Sequence, residues 1–146
     1  MRMRRGLPVV VAGVLLVAVG APAQESGIVP VATVKQLCEG MITTSSDALF
    51  NVGREAPDDD DDWRAVLHNA LMLAEAGNLL MLEGRARDDG EWMTMSRALV
   101  DAGITAVRAV EVRDVDALLG AGDQIVVACE TCHVPYRDEG LSMPVR

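Results

Sequence analysis

A helical period repeated four times along the chain narrows the fold more than any other feature. From about Val31 to Val52, the residues Val34, Leu37, Cys38, Met41, Ser45, Ala48, Leu49 and Val52 return at steps of three and four, the spacing of one helix face. A second stretch from about Asp62 to Glu83 carries Trp63, Val66, Leu67, Ala70, Ala74, Gly77, Asn78 and Met81 on its stripe. A third, from about Glu91 to Val112, carries Trp92, Met95, Leu99, Ala102, Ala106, Val107 and Val110. The fourth, from about Val115 to His133, carries Leu118, Leu119, Gly122, Ile125, Val126, Cys129 and His133. No stretch of useful length alternates with the period of a strand. Apolar residues make up 50% of the chain and aromatics only 3%, so aliphatic side chains, Ala and Met must fill the interior. Met72, Met81, Met93 and Met95 are accordingly read as packing, and Trp63 and Trp92 as anchors for the first turns of their helices.

The breaks between these stretches are short. Pro57 stops the first, and the run Asp58 to Asp62 can cap the second and complement its dipole. That run lacks the oxygen spacing, glycine and distal glutamate of a calcium loop. "GRARDDG" separates the second stretch from the third, and "VRDVD", with Asp114 or Asp116 as cap, the third from the fourth. Short connections make neighbouring helices antiparallel. The expected fold is all-α: a single up-down-up-down antiparallel four-helix bundle over residues 24–146, with no internal repeat.

Residues 1–23 are set apart from that domain. "MRMRR" is a basic leader, "GLPVVVAGVLLVAVG" a short apolar run, and "APA" at Ala21 to Ala23 a small-residue cleavage site. Together they predict a secretory signal peptide cut after Ala23, and a periplasmic location. The apolar run is short for a membrane span. The whole chain carries −9, and losing Arg2, Arg4 and Arg5 with no acidic residue takes it to −12. Such a surface argues against nucleic acid and anionic membrane as partners and favours a protein with a basic docking patch. Cysteines number three, Cys38, Cys129 and Cys132, an odd count for a disulfide framework.

The stretch "VACETCHVPYR" carries the chemistry. Cys129, Cys132 and His133 form a C-x-x-C-H box, the attachment signal of a c-type haem. Residues three and four apart share a helix face, so both thiols can bond the vinyl groups of one porphyrin and the imidazole can reach its iron. Zinc would want four ligands, and Cys38 and His68 lie on other helices. A thioredoxin-like dithiol belongs at a helix N-terminus after a strand, whereas this pair sits near a helix C-terminus. A structural disulfide would leave His133 unexplained.

A four-helix pattern with "CETCHVPYR" on its last helix resembles the class II c-type cytochromes, the cytochrome c′ and cytochrome c-556 group. The likeness covers the signal peptide, the four helices and the C-terminal box followed by an aromatic and an arginine. The resemblance implies one covalent haem c held through Cys129 and Cys132 with His133 as proximal iron ligand. It also implies electron transfer, or binding of nitric oxide or carbon monoxide, in a protein that is not an enzyme and is often a dimer. In that family the distal side of the haem is met by the first helix, where Met41 or Cys38 would be the distal ligand unless the sixth position is open. Arg137 keeps the position of a family arginine near the haem, as a haem-side cation or an ordinary surface residue. Pro135 departs from the pattern and should kink or end the last helix at Val134. Tyr136 is read as packing and His68 as a helix-surface residue. A non-haem oxidoreductase using Cys129 and Cys132 as a dithiol is the remaining reading.

Overall fold

The computed structural model describes residues 27–137. The expected signal peptide and its cleavage after Ala23 lie outside the described residues, as do residues 138–146 of the expected domain. Among the described residues the chain is all helical: a four-helix bundle without strands.

The first arm of the bundle is built from three consecutive pieces. Helix α1 (Val34–Leu37) opens with a capping box, in which the Thr33 hydroxyl accepts from the Gln36 backbone N–H and the Gln36 side chain accepts from Thr33 N–H. It runs directly into a π-helical stretch, Cys38–Thr43, and then into α2 (Thr44–Asn51). The Thr44 hydroxyl donates to the Glu39 carbonyl five residues back at 3.4 Å, a bond suited to the wider turn. The second arm, α3 (Asp60–Leu80), is capped by Asp59, whose carboxylate accepts from the N–H groups of Asp61 and Asp62 at 2.8 and 2.9 Å. The expected capping role of the aspartate run is thus met. Helix α3 ends at Leu80 rather than near Glu83, and the chain turns through Gly84 at φ 84°, a conformation open to glycine. The third arm is α4 (Glu91–Glu111), and the fourth is α5 (Val115–Tyr136), capped by Asp114 accepting from Ala117 N–H at 2.9 Å.

Neighbouring arms run antiparallel. The Trp92 indole N–H at the start of α4 donates to the Leu80 carbonyl at the end of α3 at 2.8 Å. Further along that seam the helices nearly touch. A Cβ on Gly77 would lie 2.7 Å from a Val100 methyl, and one on Gly103 would lie 2.8 Å from the backbone N and Cα of Ala74. On the opposite side Gly53 meets Leu119 and Gly122 meets Phe50, which sets α2 antiparallel to α5.

Three expectations about single residues are corrected. Leu119 and Val126 are 40% and 41% exposed, because α5 buries the stripe Leu118, Ala121, Gly122, Ile125 and Ala128 and turns its larger neighbours outward. Met72 is 40% exposed, since Leu73, Ala74 and Ala76 take the inward positions of α3. Pro135 does not end α5 at Val134: the helix continues to Tyr136, with Arg137 N–H donating to the His133 carbonyl at 3.2 Å. Proline there forfeits only one donor close to the helix end, where the next residues can still close a turn.

Candidate functional site

The C-x-x-C-H box lies in the last two turns of α5, and two contacts of Tyr136 hold that end of the helix. The Tyr136 hydroxyl donates to the Asp88 carboxylate in the α3–α4 connection. Its ring meets Trp92 edge-on with centroids 5.0 Å apart, a favourable aromatic arrangement. Asp88 also accepts from the N–H groups of Gly90 and Trp92 at 2.8 and 3.1 Å, and these bonds, the Tyr136 hydrogen bond foremost, hold its carboxyl below the usual range. The same hydrogen bond pushes the Tyr136 phenol up to about 12. Tyr136 is therefore packing with a polar handle, as expected, and Asp88 is the partner that sequence reasoning missed. A carboxylate in a polar loop, 48 residues away in sequence, carries no pattern that announces such a partner.

One cavity of about 40 Å³ at this end of the bundle brings the chemistry-bearing residues together. Cys129, Cys132 and His133 line it from α5, Cys38 and Ile42 from the first arm, Leu80 from α3, and Ser96 and Leu99 from α4. Cys38 thus lies against the box, as expected of a residue on the inward face of the first helix. Met41 packs against the core, half-buried, and is not among the residues lining this cavity. His68 is exposed on α3, away from the cavity, in line with the surface reading.

Each thiol is held above its ordinary range. Burial is the main cause for Cys38, which is pushed to about 11 with further contributions from Cys132, Cys129 and Glu39. Burial likewise leads for Cys129, followed by Glu130, and for Cys132, followed by Cys129. All three are free thiols and half-buried. Arg137 is exposed, and its guanidinium lies 3.4 Å from Nδ1 of His133. A guanidinium only donates, so a hydrogen bond here would have Nδ1 as its acceptor.

The Ser96 hydroxyl was not singled out from the sequence. It is buried in the cavity wall and has no hydrogen-bond partner. An unpaired buried hydroxyl is costly, and a helix-interior serine is usually satisfied by its own backbone. Beside the cavity, a groove of about 500 Å³ runs between α4 and α5, and Met95 and Ala128 line both.

Comparison with protein-family models, with curated proteins and with solved structures finds no match to this chain.

A covalently held haem fits the donors present. Two thiols three residues apart and the imidazole beside them line one space, with an unpaired hydroxyl in its wall. The cavity alone is too small, since organic ligands occupy clefts of about 300–1,000 Å³. Together with the adjoining groove the space reaches that scale, and the unbranched, flexible Met95 lines both.

Proposed function

We propose that this chain is an exported c-type cytochrome of the class II kind, with one haem bonded through Cys129 and Cys132 and ligated by His133. The single observation that carries the reading is the C-x-x-C-H box with all three of its functional side chains on one interior cavity. When bound, such a haem supplies reversible one-electron chemistry at iron. The chain's own part is to tether, orient and bury the group. Cys129 and Cys132 fix its edge, His133 supplies the imidazole nitrogen, and Ile42, Leu80 and Leu99 exclude water. The −9 charge of the chain, −12 without residues 1–23, favours a redox partner with a basic docking patch. Among the described residues no helix is long and apolar enough to cross a membrane. A dithiol oxidoreductase is less well supported. Reactive dithiols have lowered thiol pKa values, and here burial raises both.

One observation favours gas binding over plain electron transfer. Of the two first-arm residues on the cavity, Ile42 has no ligand atom, and Cys38 is a thiol pushed to about 11 and so a neutral, weak ligand at pH 7. Met41, the better ligand by chemistry, does not line the cavity. An iron bound at His133 would then keep its sixth position open to nitric oxide or carbon monoxide.

The test is expression of the full chain in a host that matures c-type cytochromes. The pyridine haemochrome should be that of a thioether-linked haem and survive acid-acetone extraction. It should be lost completely when Cys129 and Cys132 are both replaced by Ala. Acid-stable haem in the double variant would refute the assignment. A ferrous spectrum that shifts on adding carbon monoxide supports the gas-binding form, and one indifferent to it supports a filled sixth position.

A further inference from the structure

The attachment box accounts for Cys129 and Cys132 but leaves a third thiol, Cys38, lining the same small cavity from the opposite arm of the bundle. We propose that Cys38 and Cys132 form a reversible disulfide that joins the first and last arms and withholds one attachment thiol from the haem.

Two geometric observations select this pair. The first is register. Gly53 faces Leu119 and Phe50 faces Gly122, so three residues back along α2 correspond to three forward along α5. Continued to residue 38, that register reaches residue 134, and the extra backbone of the π-helical stretch draws it back towards the Cys132–His133 turn. Cys129 lies one turn lower, level with Ile42. The second observation concerns the alternative bond. Cys129 and Cys132 sit three apart in an unbroken helix, where Cβ atoms lie about 5–6 Å apart. A disulfide needs its Cβ atoms about 3.5–4.5 Å apart, so that bond would have to distort the helix. Cys38 and Cys132 line the same cavity of about 40 Å³ from opposite arms, with no helix turn holding them apart. The electrostatic influence on Cys38 agrees, since Cys132 acts on it more strongly than Cys129 does.

The chemistry is thiol–disulfide exchange with a small-molecule disulfide. The Cys132 thiol loses its proton, slowly because burial holds it above its ordinary range, and attacks the donor, expelling one donor thiolate and leaving a mixed disulfide. Cys38, deprotonated in turn, attacks the Cys132 sulfur and expels the second donor thiolate. Two protein thiols are oxidised, one donor disulfide is reduced to two thiols, and the protons pass to the thiolates released. The consequence for haem loading rests on the proposed haem function: attachment would require this bond to be reduced first. The bond itself does not depend on that function.

The experiment uses the full chain purified without haem, treated with oxidised glutathione, capped with an alkylating reagent and digested with trypsin. Trypsin leaves Cys38 on one peptide and Cys129 with Cys132 on another, so a link between the peptides reads the bond directly. We expect that link in the majority of chains, retained in Cys129→Ser and lost in Cys132→Ser. A link lost in Cys129→Ser but kept in Cys132→Ser, or glutathione left on Cys38 with no link, would overturn the proposal. In a parallel arm, oxidised and dithiothreitol-reduced chains are offered ferrous haem. Wild type should lose most of its covalent attachment on oxidation, and Cys38→Ser should lose none. Equal losses in the two chains would overturn the withholding of haem. Absence of attachment even in reduced wild type would count against the haem function and leave the peptide map to decide the disulfide.

Discussion

The two sides of the bundle are packed by opposite means. Between α3 and α4, glycine and alanine bring the backbones so close that no Cβ fits on Gly77 or Gly103 without something moving. Between the first arm and α5, the contacts are side chain against side chain: Gly53 looks onto a Leu119 methyl and Gly122 onto the Phe50 ring. That side also holds the π-helical stretch and the three thiols, which meet Leu80 of α3 and Ser96 and Leu99 of α4 around the cavity. A backbone-to-backbone seam resists deformation because nothing in it can rotate away. A seam of side chains can open by rotamer changes. The more adaptable seam is therefore the one beside the thiols, and the tight seam holds the bundle together.

One identical substitution on each side tests the comparison. Gly103→Ala in α4 should destabilise the chain by about 2 kcal/mol, because overpacking against rigid backbone outweighs the gain in helix propensity. Urea denaturation at unchanged m-value measures it. A smaller effect is expected from Ser96→Ala, which removes a buried hydroxyl with no partner. It should stabilise the haem-free chain by about 1 kcal/mol. A clear loss of stability would mean that the hydroxyl is satisfied in solution and the cavity wall is complete without a ligand. The smallest effect belongs to Gly122→Ala in α5, where the new methyl would meet Phe50 at an ordinary 3.5 Å. It should stabilise by about 0.5–1 kcal/mol through helix propensity alone. If Gly103→Ala and Gly122→Ala shift stability in the same direction, the contrast between the seams is wrong.

The arms were legible in the sequence because their period is strong and their caps are chemically specific. Asp59 and Asp114 cap α3 and α5 from the runs expected to do so, and Trp92 anchors the first turn of α4. The C-x-x-C-H box was legible because its spacing is itself the geometry. Less could be read where the decision belonged to a neighbour. Leu119 and Val126 fit the apolar period of α5, but the helix turns Leu118, Ala121, Ile125 and Ala128 inward in their place. Gly40 sits in open space, so its place in the π-helical stretch left no packing signal. Arg85 is buried although charged, donating to the carbonyls of Ala32 and Leu79 at 3.0 and 3.1 Å. A lone arginine in a polar loop carries no periodicity that predicts this.

The separation of the two seams along the chain has a bearing on the order of folding. Helices α3 and α4 are joined by residues 81–90, so their seam closes a short loop, whereas Cys38 and Cys132 come together only when nearly the whole described chain has been looped. Loop closure grows more costly with length, and local hairpins are correspondingly early. The thiol-bearing side is expected to be the last to shut. Mutations at Ala102 and Ala106 should slow folding, while mutations at Leu49 and Leu118 should act mainly by speeding unfolding. Stopped-flow kinetics showing the reverse would refute that order. If it holds, a large planar group can reach the cysteines in a half-closed intermediate, and no finished bundle has to be pried apart.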